Sequence, residues 1–309
     1  MILPQSTVQT LILLLYAGAG FAAGKLGYLD EKAGRGLSKF LVDFILPALV
    51  IESMQRPFSP QLRDEALTML EISFGVYAAS FPLAWLLVRA EGAKGGEAGA
   101  HAFGAVFSNV AFMGFPVMEA IFGRESLFAV SVYNIPFQLL AFSVGSYILA
   151  RSAGKQAKIG PASFLTPAAG AAALGFALFA TGTVLPAPLA QALDNFGNCT
   201  TPLSMSLIGS IISRMDMRNL VGNPRLYATT AFRLVLFPLI LYGALRALGF
   251  SGILVALPVV IAAMPVAVNS AILAEAYNGD AESASSLVAI STIFSLVTIP
   301  LLSYFLFRI

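Results

Sequence analysis

The sequence predicts an all-α protein that crosses a membrane many times. Charged residues make up 11% of the 309-residue chain, against about 25% in an ordinary soluble domain. Mean hydropathy is +0.82, and a soluble core cannot bury so many apolar side chains, so a lipid bilayer must be the solvent for much of the surface. The net charge of +2 is too small to suggest a nucleic-acid partner.

Cysteine and histidine are almost absent. The single cysteine, Cys199, excludes an internal disulfide. With only one histidine, His101, beside it, the chain also lacks the ligands of a protein-built zinc site, and we expect neither a metal nor a cofactor.

Ten apolar segments are long enough to cross a bilayer, which takes about 20 residues. The first contains LILLLYAGAGFAAG and has no basic residue before Lys25, so it is predicted to be a span and not a cleaved signal. The ten predicted spans are 6–24, 36–54, 66–88, 101–122, 127–149, 163–182, 196–213, 226–247, 252–276 and 284–307.

The basic residues predict the orientation, because Lys and Arg concentrate in cytoplasmic loops. With the N-terminus outside, eleven basic residues fall in cytoplasmic segments and five in outer ones. This bias predicts that both termini lie outside.

A polar connector divides the chain into two equal parts. RSAGKQAKIG, at 151–160, follows the fifth span. We therefore predict a first five-helix half at 1–150, a cytoplasmic connector at 151–162 and a second half at 163–309. Since five is odd, the second half would be inverted, as in many secondary transporters.

Two pairs of segments support a duplication. The second span reads DFILPALVIESM from Asp43 and the seventh reads NCTTPLSMSLIG from Asn198; a proline follows each polar residue four positions later, at Pro47 and Pro202. MEAIFG closes the fourth span and AEAYNG the ninth, at nearly the same offset. The two halves are therefore predicted to be repeats.

The fourth and ninth spans carry residues that interrupt helices. FSNVAFMGFP contains Asn109, Gly114 and Pro116, and the ninth span contains Pro265 and Asn269. Proline removes a backbone donor and glycine loosens the chain. Non-helical backbone at membrane depth is tolerated only where it is buried in protein or lines a water-filled cavity. Breaks in corresponding spans predict a transporter binding site.

These stretches resemble the auxin efflux carrier family, which includes the plant PIN-FORMED carriers and bacterial malonate-type carriers. SNVAFMGFPVMEAIFG is similar to the fourth helix of that family. GLSKFLVDFILPALVIESM, FGNCTTPLSM and AAMPVAVNSAILAEAYNG resemble its second, seventh and ninth helices. The resemblance covers essentially the whole chain.

The resemblance implies a fold and a mechanism. Ten helices would form two inverted five-helix repeats in which broken helices 4 and 9 cross. Helices 1, 2, 6 and 7 would form a scaffold that makes a homodimer, and helices 3–5 and 8–10 a transport domain that slides as an elevator. The substrates would be small organic anions, auxin-like or carboxylates. Independently of the resemblance, the short loops and the high alanine content suggest a bacterial inner membrane.

The resemblance also implies roles for individual residues. Asn109 matches an asparagine that contacts the substrate carboxylate, Asn198 a second contact and Leu46 an apolar wall position. Pro116 and Pro265 match the prolines of the crossing. Asn269 is a further polar candidate for the substrate site, and Gly114, Pro47 and Pro202 are the remaining candidates for helix breaks.

Several residues have a second interpretation. Asn109 could cap a half-helix, and Asn198 could form an interhelical hydrogen bond. Asp43 could pair with Lys39, four residues earlier, or could carry a coupling proton. His101 is expected near the membrane interface. Arg233 could pair with a carboxylate or line an anion path.

Other functions fit the sequence less well. A sodium- or proton-coupled symporter or antiporter of related fold is the main alternative. Cation exchangers usually carry acidic residues beside the crossing, where this chain has asparagines. No HExxH motif is present, so we do not expect an enzyme.

Overall fold

The computed structural model is helical throughout the part of the chain that it describes, residues 5–155, 166–214 and 222–307. Within those ranges it contains no β-strand, and one isolated bridge is the sole extended pairing. The prediction of an all-α protein is therefore confirmed.

Each predicted span coincides with one helix or with a pair of helices. Helix α2 contains a π turn, as do α4b, α5 and α8, and α7 is jointed at Cys199. The helices are α1 Gln5–Lys25, α2 31–53, α3 Pro60–Glu91, α4a Gly95–Val106, α4b Val110–Phe122, α5 Ser126–Ser152, α6 Pro167–Thr181, α7 187–213, α8 Pro224–Ala247, α9a Ile253–Ala262, α9b Asn269–Ala276 and α10 Ala281–Phe307.

Four of the described helices are long and apolar enough to cross a membrane, judged by length and composition: α3, α5, α8 and α10. The apolar helices α4b, α6 and α9a are shorter. A chain with this pattern is an integral membrane protein.

Several helices begin at a residue whose side chain caps the first amides, or end at a glycine. Ser59 accepts a hydrogen bond from the Leu62 N–H at 3.1 Å and begins α3, while Gly92, with φ +67°, ends it. Thr166 caps α6 in the same way as Ser59 caps α3. Such side chains pair the amides that a helix end leaves open, so the short connections are defined by the local sequence.

Three of the π turns stand directly before a proline. Residues 41–45, 110–114 and 232–236 form wide turns, and Pro47, Pro116 and Pro238 follow each of them two positions later. Proline lacks an N–H and its ring pushes against the preceding turn. The extra residue of a π turn widens the helix at that point and lets it continue through the proline.

Helices α1 and α7 approach so closely that their glycines leave no room for a side chain. A methyl group on Gly20 would lie 1.9 Å from the Ser206 carbonyl oxygen, and one on Gly209 would lie 1.8 Å from the Ala17 carbonyl oxygen. Small residues allow helices to pack backbone against backbone in a membrane. Helix α2 in turn packs on α6 and α7.

We expect Gly20→Ala to destabilise the protein, because the new methyl group must push α1 away from the α7 backbone. The cost should be about 1–3 kcal/mol, as for other overpacked sites. The measurement is thermal unfolding of the purified protein in detergent. Gly18→Ala is the matched control: no atom lies within 4 Å of the added methyl group, and alanine favours a helix over glycine. Equal unfolding temperatures for the two variants would contradict the close contact.

Candidate functional site

The breaks in the fourth and ninth spans meet inside the protein. Helix α4a ends at Val106 and α4b begins at Val110; α9a ends at Ala262 and α9b begins at Asn269. Between them the two chains form a short antiparallel pair at Ser108 and Val266. We call the segments 107–109 and 263–268 the crossing.

Backbone hydrogen bonds hold the crossing together. The Asn109 N–H donates to the Pro265 carbonyl at 2.8 Å, and the Ala267 N–H donates to the Phe107 carbonyl at 3.1 Å. The Val266 N–H donates to the Ser291 hydroxyl oxygen on α10 at 3.0 Å. Because water does not reach backbone in this position, each pairing replaces a hydrogen bond that solvent would otherwise supply.

Arg233, on α8, binds the ends of both broken helices. Its Nη1 donates to the carbonyls of Ala105 and Val106 at 3.1 and 3.2 Å, and its Nε donates to the carbonyl of Met264 at 3.3 Å. Its side chain is buried. The guanidinium therefore lies at the C-terminal ends of α4a and α9a, where the helix dipole is negative and the last carbonyls lack partners.

Asn109 caps α4b and has one donor left over. Its Oδ1 accepts a hydrogen bond from the Phe112 N–H at 3.3 Å. Its Nδ2 is buried and has no hydrogen-bond partner, with the residue only 2% exposed. The capping interpretation of Asn109 therefore matches the geometry, and the free amide donor is available for a ligand as well.

A second asparagine, Asn269, is the first residue of α9b and is half-buried. Both half-helices that leave the crossing thus begin at or next to an asparagine. A helix N-terminus carries positive partial charge, which favours a bound anion.

Gly114 and Pro116 lie in a continuous helix, so they do not make the break. The interruption is at 107–109, seven residues before Pro116, because the π turn at 110–114 accommodates the proline. A methyl group on Gly114 would lie 2.9 Å from Ile261 Cδ1. Gly114 therefore lets α9a approach α4b closely, while Pro265 does lie in the crossing as expected.

Pro47 and Pro202 also sit within helices. Pro47 follows the π turn of α2, directly after the buried Leu46, and Pro202 is in the second part of α7. Leu46 is part of the buried apolar core, and its role at a substrate remains a prediction.

Asn198 lies in a different place from Asn109. Its Oδ1 accepts a hydrogen bond from Arg124 at 2.8 Å, and Arg124 also pairs with Glu52 at 3.1 Å and with Asp194. Arg124 stands past the far end of α4b, about 20 Å along the helix from Asn109. The structure therefore does not bring the two asparagines together, and a substrate contact by Asn198 stays a prediction.

The Arg124 cluster joins α2, α7 and the connection between α4b and α5. Burial alone would lower the pKa of Arg124, but the hydrogen bond and charge of Glu52, together with Asp194, raise it. Nearby, the Thr201 hydroxyl on α7 donates to Glu119 on α4b at 2.9 Å. The Thr201–Glu119 bond therefore links α7 to α4b, and Arg124 links α7 to the connection that follows α4b.

Asp43 is half-buried in the π turn of α2, and Lys39 is exposed. Neither takes part in an ion pair within the described ranges. The wide turn displaces residues four apart from their usual alignment, which explains why the predicted pair does not form.

Two cavities lie near α4b. One, of about 340 Å³, is lined by apolar side chains of α3, α5 and α9a, with Arg56, Glu65 and Glu125 among them. The other, of about 50 Å³, lies between α4b and α10 on one side and α1 and α7 on the other. Met113 and Ser295 line this smaller cavity, one helical turn beyond Asn109.

A family model described as "Membrane transport protein" matches residues 6–303. The chain belongs to this family. The match confirms the resemblance to the auxin efflux carriers, and with the apolar helices it makes the protein an integral membrane transporter.

Three relatives match over nearly their whole length. An "Uncharacterized transporter" of Methanothermobacter thermautotrophicus is 28% identical, covering 98% of this chain and 99% of its own. A protein of Rhizobium meliloti named "Putative malonate transporter" is 26% identical, covering 90% and 91%. The "Uncharacterized transporter YfdV" of Escherichia coli K12 is 22% identical, covering 92% of each chain.

Sequence reasoning left the role of Arg233 open and did not single out Ser291. The signal was present: a charge in the middle of an apolar helix needs partners at membrane depth. The partners proved to be the carbonyls freed by the two helix breaks, which no charge-pairing rule would find.

We expect Arg233→Leu to destabilise the protein strongly, because the variant leaves three buried carbonyls without a donor. The loss should be about 3 kcal/mol or more. Thermal unfolding in detergent measures it. Arg246→Leu, at an exposed arginine of the same helix that bonds only to the Phe250 carbonyl, is the control and should change stability by less than about 0.5 kcal/mol. A similar loss in both variants would show that the crossing does not depend on Arg233.

Proposed function

We propose that the protein is a secondary carrier of small organic anions that binds its substrate at the crossing. The observation that supports this most is the Nδ2 of Asn109, a buried donor with no partner at the N-terminal end of α4b. A carboxylate placed there would accept a hydrogen bond from this amide and meet the positive end of a helix dipole.

The charge at the crossing also favours an anion. Arg233 brings a buried positive charge, and the hydrogen bonds that the structure records for it go to carbonyls and not to a carboxylate. No acidic side chain accepts these bonds, so the charge of Arg233 faces the negative C-terminal ends of α4a and α9a, and the positive N-terminal ends of α4b and α9b are left to face a ligand. This electrostatic argument counts against sodium or another cation binding at the same place.

The substrate class we propose is a small mono- or dicarboxylate, with auxin-like acids as a second group. The name of the Rhizobium meliloti relative points to malonate for that protein. The small cavity beside Met113 holds only about 50 Å³, so an organic anion requires α4b to separate from α7. The described conformation would then be one with the site closed.

We further propose the ten-span inverted repeat and an elevator motion. The packing fits a duplicated chain, because α1 packs on α7 and α6 packs on α2, which are corresponding pairs in two inverted halves. In this arrangement the halves 1–150 and 163–309 flank the connector 151–162. The scaffold would consist of α1, α2, α6 and α7 and would form a homodimer, and α3–α5 with α8–α10 would move.

One group of the contacts that would have to break consists of weak ion pairs. Arg124 and its partners Glu52 and Asp194 are partly exposed, and exposed ion pairs contribute about 0–1 kcal/mol each. The elevator can therefore release them without a large barrier. We place the protein in a bacterial inner membrane with both termini outside, as the distribution of basic residues suggests.

Proton or sodium coupling is the second candidate. It is supported by Asp43, a half-buried carboxylate without an ion-pair partner in the described ranges. An uncompensated acidic group in a membrane segment is a candidate coupling site. Malonate transport that is unchanged in Asp43→Asn would rule out this role.

The function can be tested by capacitive current in liposomes after a jump in malonate, with indole-3-acetate as the second ligand. A current for either anion would support an electrogenic carrier. If both anions give no current, a screen of carboxylates by thermal stabilisation follows; stabilisation by none of them would contradict the proposed substrate class.

Three variants of Asn109 separate binding from capping. Asn109→Asp and Asn109→Ser retain an oxygen that can accept from the Phe112 N–H, but both lack the amide donor. We expect Asn109→Ser to unfold near the wild-type temperature and Asn109→Asp to unfold at a lower one, because its carboxylate is buried. Both should lose most of the anion-dependent current. Asn109→Ala should lose the current and also about 1 kcal/mol of stability. Wild-type current in Asn109→Ser would mean that the amide serves only as a cap.

A further inference from the structure

A second buried polar cluster lies where α3 ends and α4a and α8 begin. His101 Nδ1 is 2.7 Å from the Thr229 hydroxyl oxygen and 3.0 Å from Glu91 Oε2. The Thr229 hydroxyl is 2.8 Å from Glu91 Oε1. The His101 side chain is 0% exposed and that of Glu91 is 4% exposed, so both are buried within the protein.

The hydrogen bonds account for the protons in this cluster. With Glu91 ionised, the Thr229 hydroxyl donates its one proton to Glu91, and its oxygen then accepts from His101 Nδ1, which is the protonated nitrogen of this tautomer. The other ring nitrogen, Nε2, is buried without a partner. A further proton gained by the imidazole then goes to Nε2, while Nδ1 stays bonded to Thr229 and within ion-pair distance of Glu91.

Among the described residues, no lysine or arginine forms an ion pair with Glu91. Arg225 on α8 binds both carboxylate oxygens of Glu97 at 3.1 and 2.8 Å, and it reaches Glu91 only at the backbone carbonyl. From the start of α10, Asp280 lies against Gly96 and its carboxylate is bonded to Ser283. From α5, the neutral Ser152 packs on Gly99.

The net charge of the cluster thus depends on the imidazole. Glu91 and Glu97 bring two negative charges against the single positive charge of Arg225. A neutral His101 leaves a buried carboxylate unbalanced, which is costly. A protonated His101 balances the charge of Glu91, and histidine is the side chain that exchanges protons most readily near neutral pH.

We propose that Glu91 and His101 form a proton-binding site that controls the crossing. This proton site lies one helical turn from the contacts that hold the crossing. His101 precedes Ala105 by four residues on α4a, and Thr229 precedes Arg233 by four residues on α8. The two helices are therefore joined at two levels one helical turn apart, by the proton cluster and by the bonds from Arg233 to α4a.

A proton at this site consequently affects the candidate anion site. Adding the proton strengthens the attraction between His101 on α4a and Glu91 at the end of α3. Removing the proton weakens this attraction. Arg233 still holds the C-terminal end of α4a to α8. A weaker contact at His101 therefore lets α4a tilt relative to α8, and this tilt changes the geometry at Asn109. This regulation of transport rests on the proposed function, whereas the proton site itself does not.

The proton site can be measured directly, because the chain has a single histidine. The protein is labelled with ¹⁵N in the histidine ring and placed in lipid nanodiscs without any anion substrate. We expect one pair of ring signals that titrates between about pH 5 and pH 9, with Nε2 as the nitrogen that gains the proton. Signals that do not change over this range would overturn the proposal.

Glu91→Gln tests the partner. Without the carboxylate the imidazolium loses its counter-charge, so the midpoint of the titration should move to lower pH. Glu282→Gln, an exposed carboxylate at the start of α10, is the matched control and should titrate as the wild type does. An unchanged midpoint in Glu91→Gln would overturn the pair. If that variant does not fold, Thr229→Val removes the shared hydroxyl with little change in shape, and an unchanged Nδ1 signal would overturn the proposed hydrogen bond.

Hydrogen–deuterium exchange tests the connection to the crossing. After correction for intrinsic rates, the amides of 105–110 should exchange faster at about pH 8 than at about pH 6 in the wild type. Glu91→Gln should show no such difference. Equal protection at both pH values in the wild type would overturn control of the crossing. Both readouts omit the anion, so a failure of the proposed substrate would leave them unchanged.

In liposomes that show a malonate current, the same comparison extends to transport. The current should depend on pH in the wild type and in Glu282→Gln, and this dependence should be lost in Glu91→Gln. A current with wild-type pH dependence in Glu91→Gln would overturn the link between the proton and transport, whatever the anion.

Discussion

The structure depends on the pairing of backbone groups where two helices stop inside the protein. Open carbonyls and amides at that depth have no water to bind. Here the two interrupted chains supply partners to each other, through Asn109 with Pro265 and Ala267 with Phe107. The guanidinium of Arg233 donates to carbonyls at the ends of both helices, and the Ser291 hydroxyl accepts from the Val266 N–H. Remove that pairing, and the breaks would cost more than the fold could tolerate.

The same arrangement separates structural from functional polar groups. The carbonyl ends of α4a and α9a are satisfied by Arg233, whereas the amide of Asn109 is left without a partner. Hydrogen bonds that fix the helices thus occupy one side of the break, and the free donor stands at the start of α4b. In such a site the backbone is held in place by hydrogen bonds while one donor stays free for a ligand. A preorganised donor of this kind binds a small ligand without first having to be ordered.

Much of the fold followed from the sequence because it rests on patterns that act locally. Apolar length predicted the helices, and asparagine and proline in the fourth and ninth spans predicted interruptions there. The first interruption lies at 107–109 and ends seven residues before Pro116, because a π turn accommodates the proline within the helix. Long-range contacts could not be foreseen. Asn198 and Arg124 are 74 positions apart in the chain, and His101 and Thr229 are 128 apart, and no periodicity carries that information.

The π turns have a consequence for how such a chain can change over evolutionary time. Each holds one residue more than an α-helical turn, so it is equivalent to a single insertion that the helix has absorbed. Beyond it, every later side chain is rotated by about 100° relative to an uninterrupted helix. In α2, α4b and α8 the rotation occurs just before a proline. Losing one codon there would convert the wide turn into an α-helical turn and leave both halves of the helix presenting the same faces as before, so these are positions where a change of length need not disturb the packing.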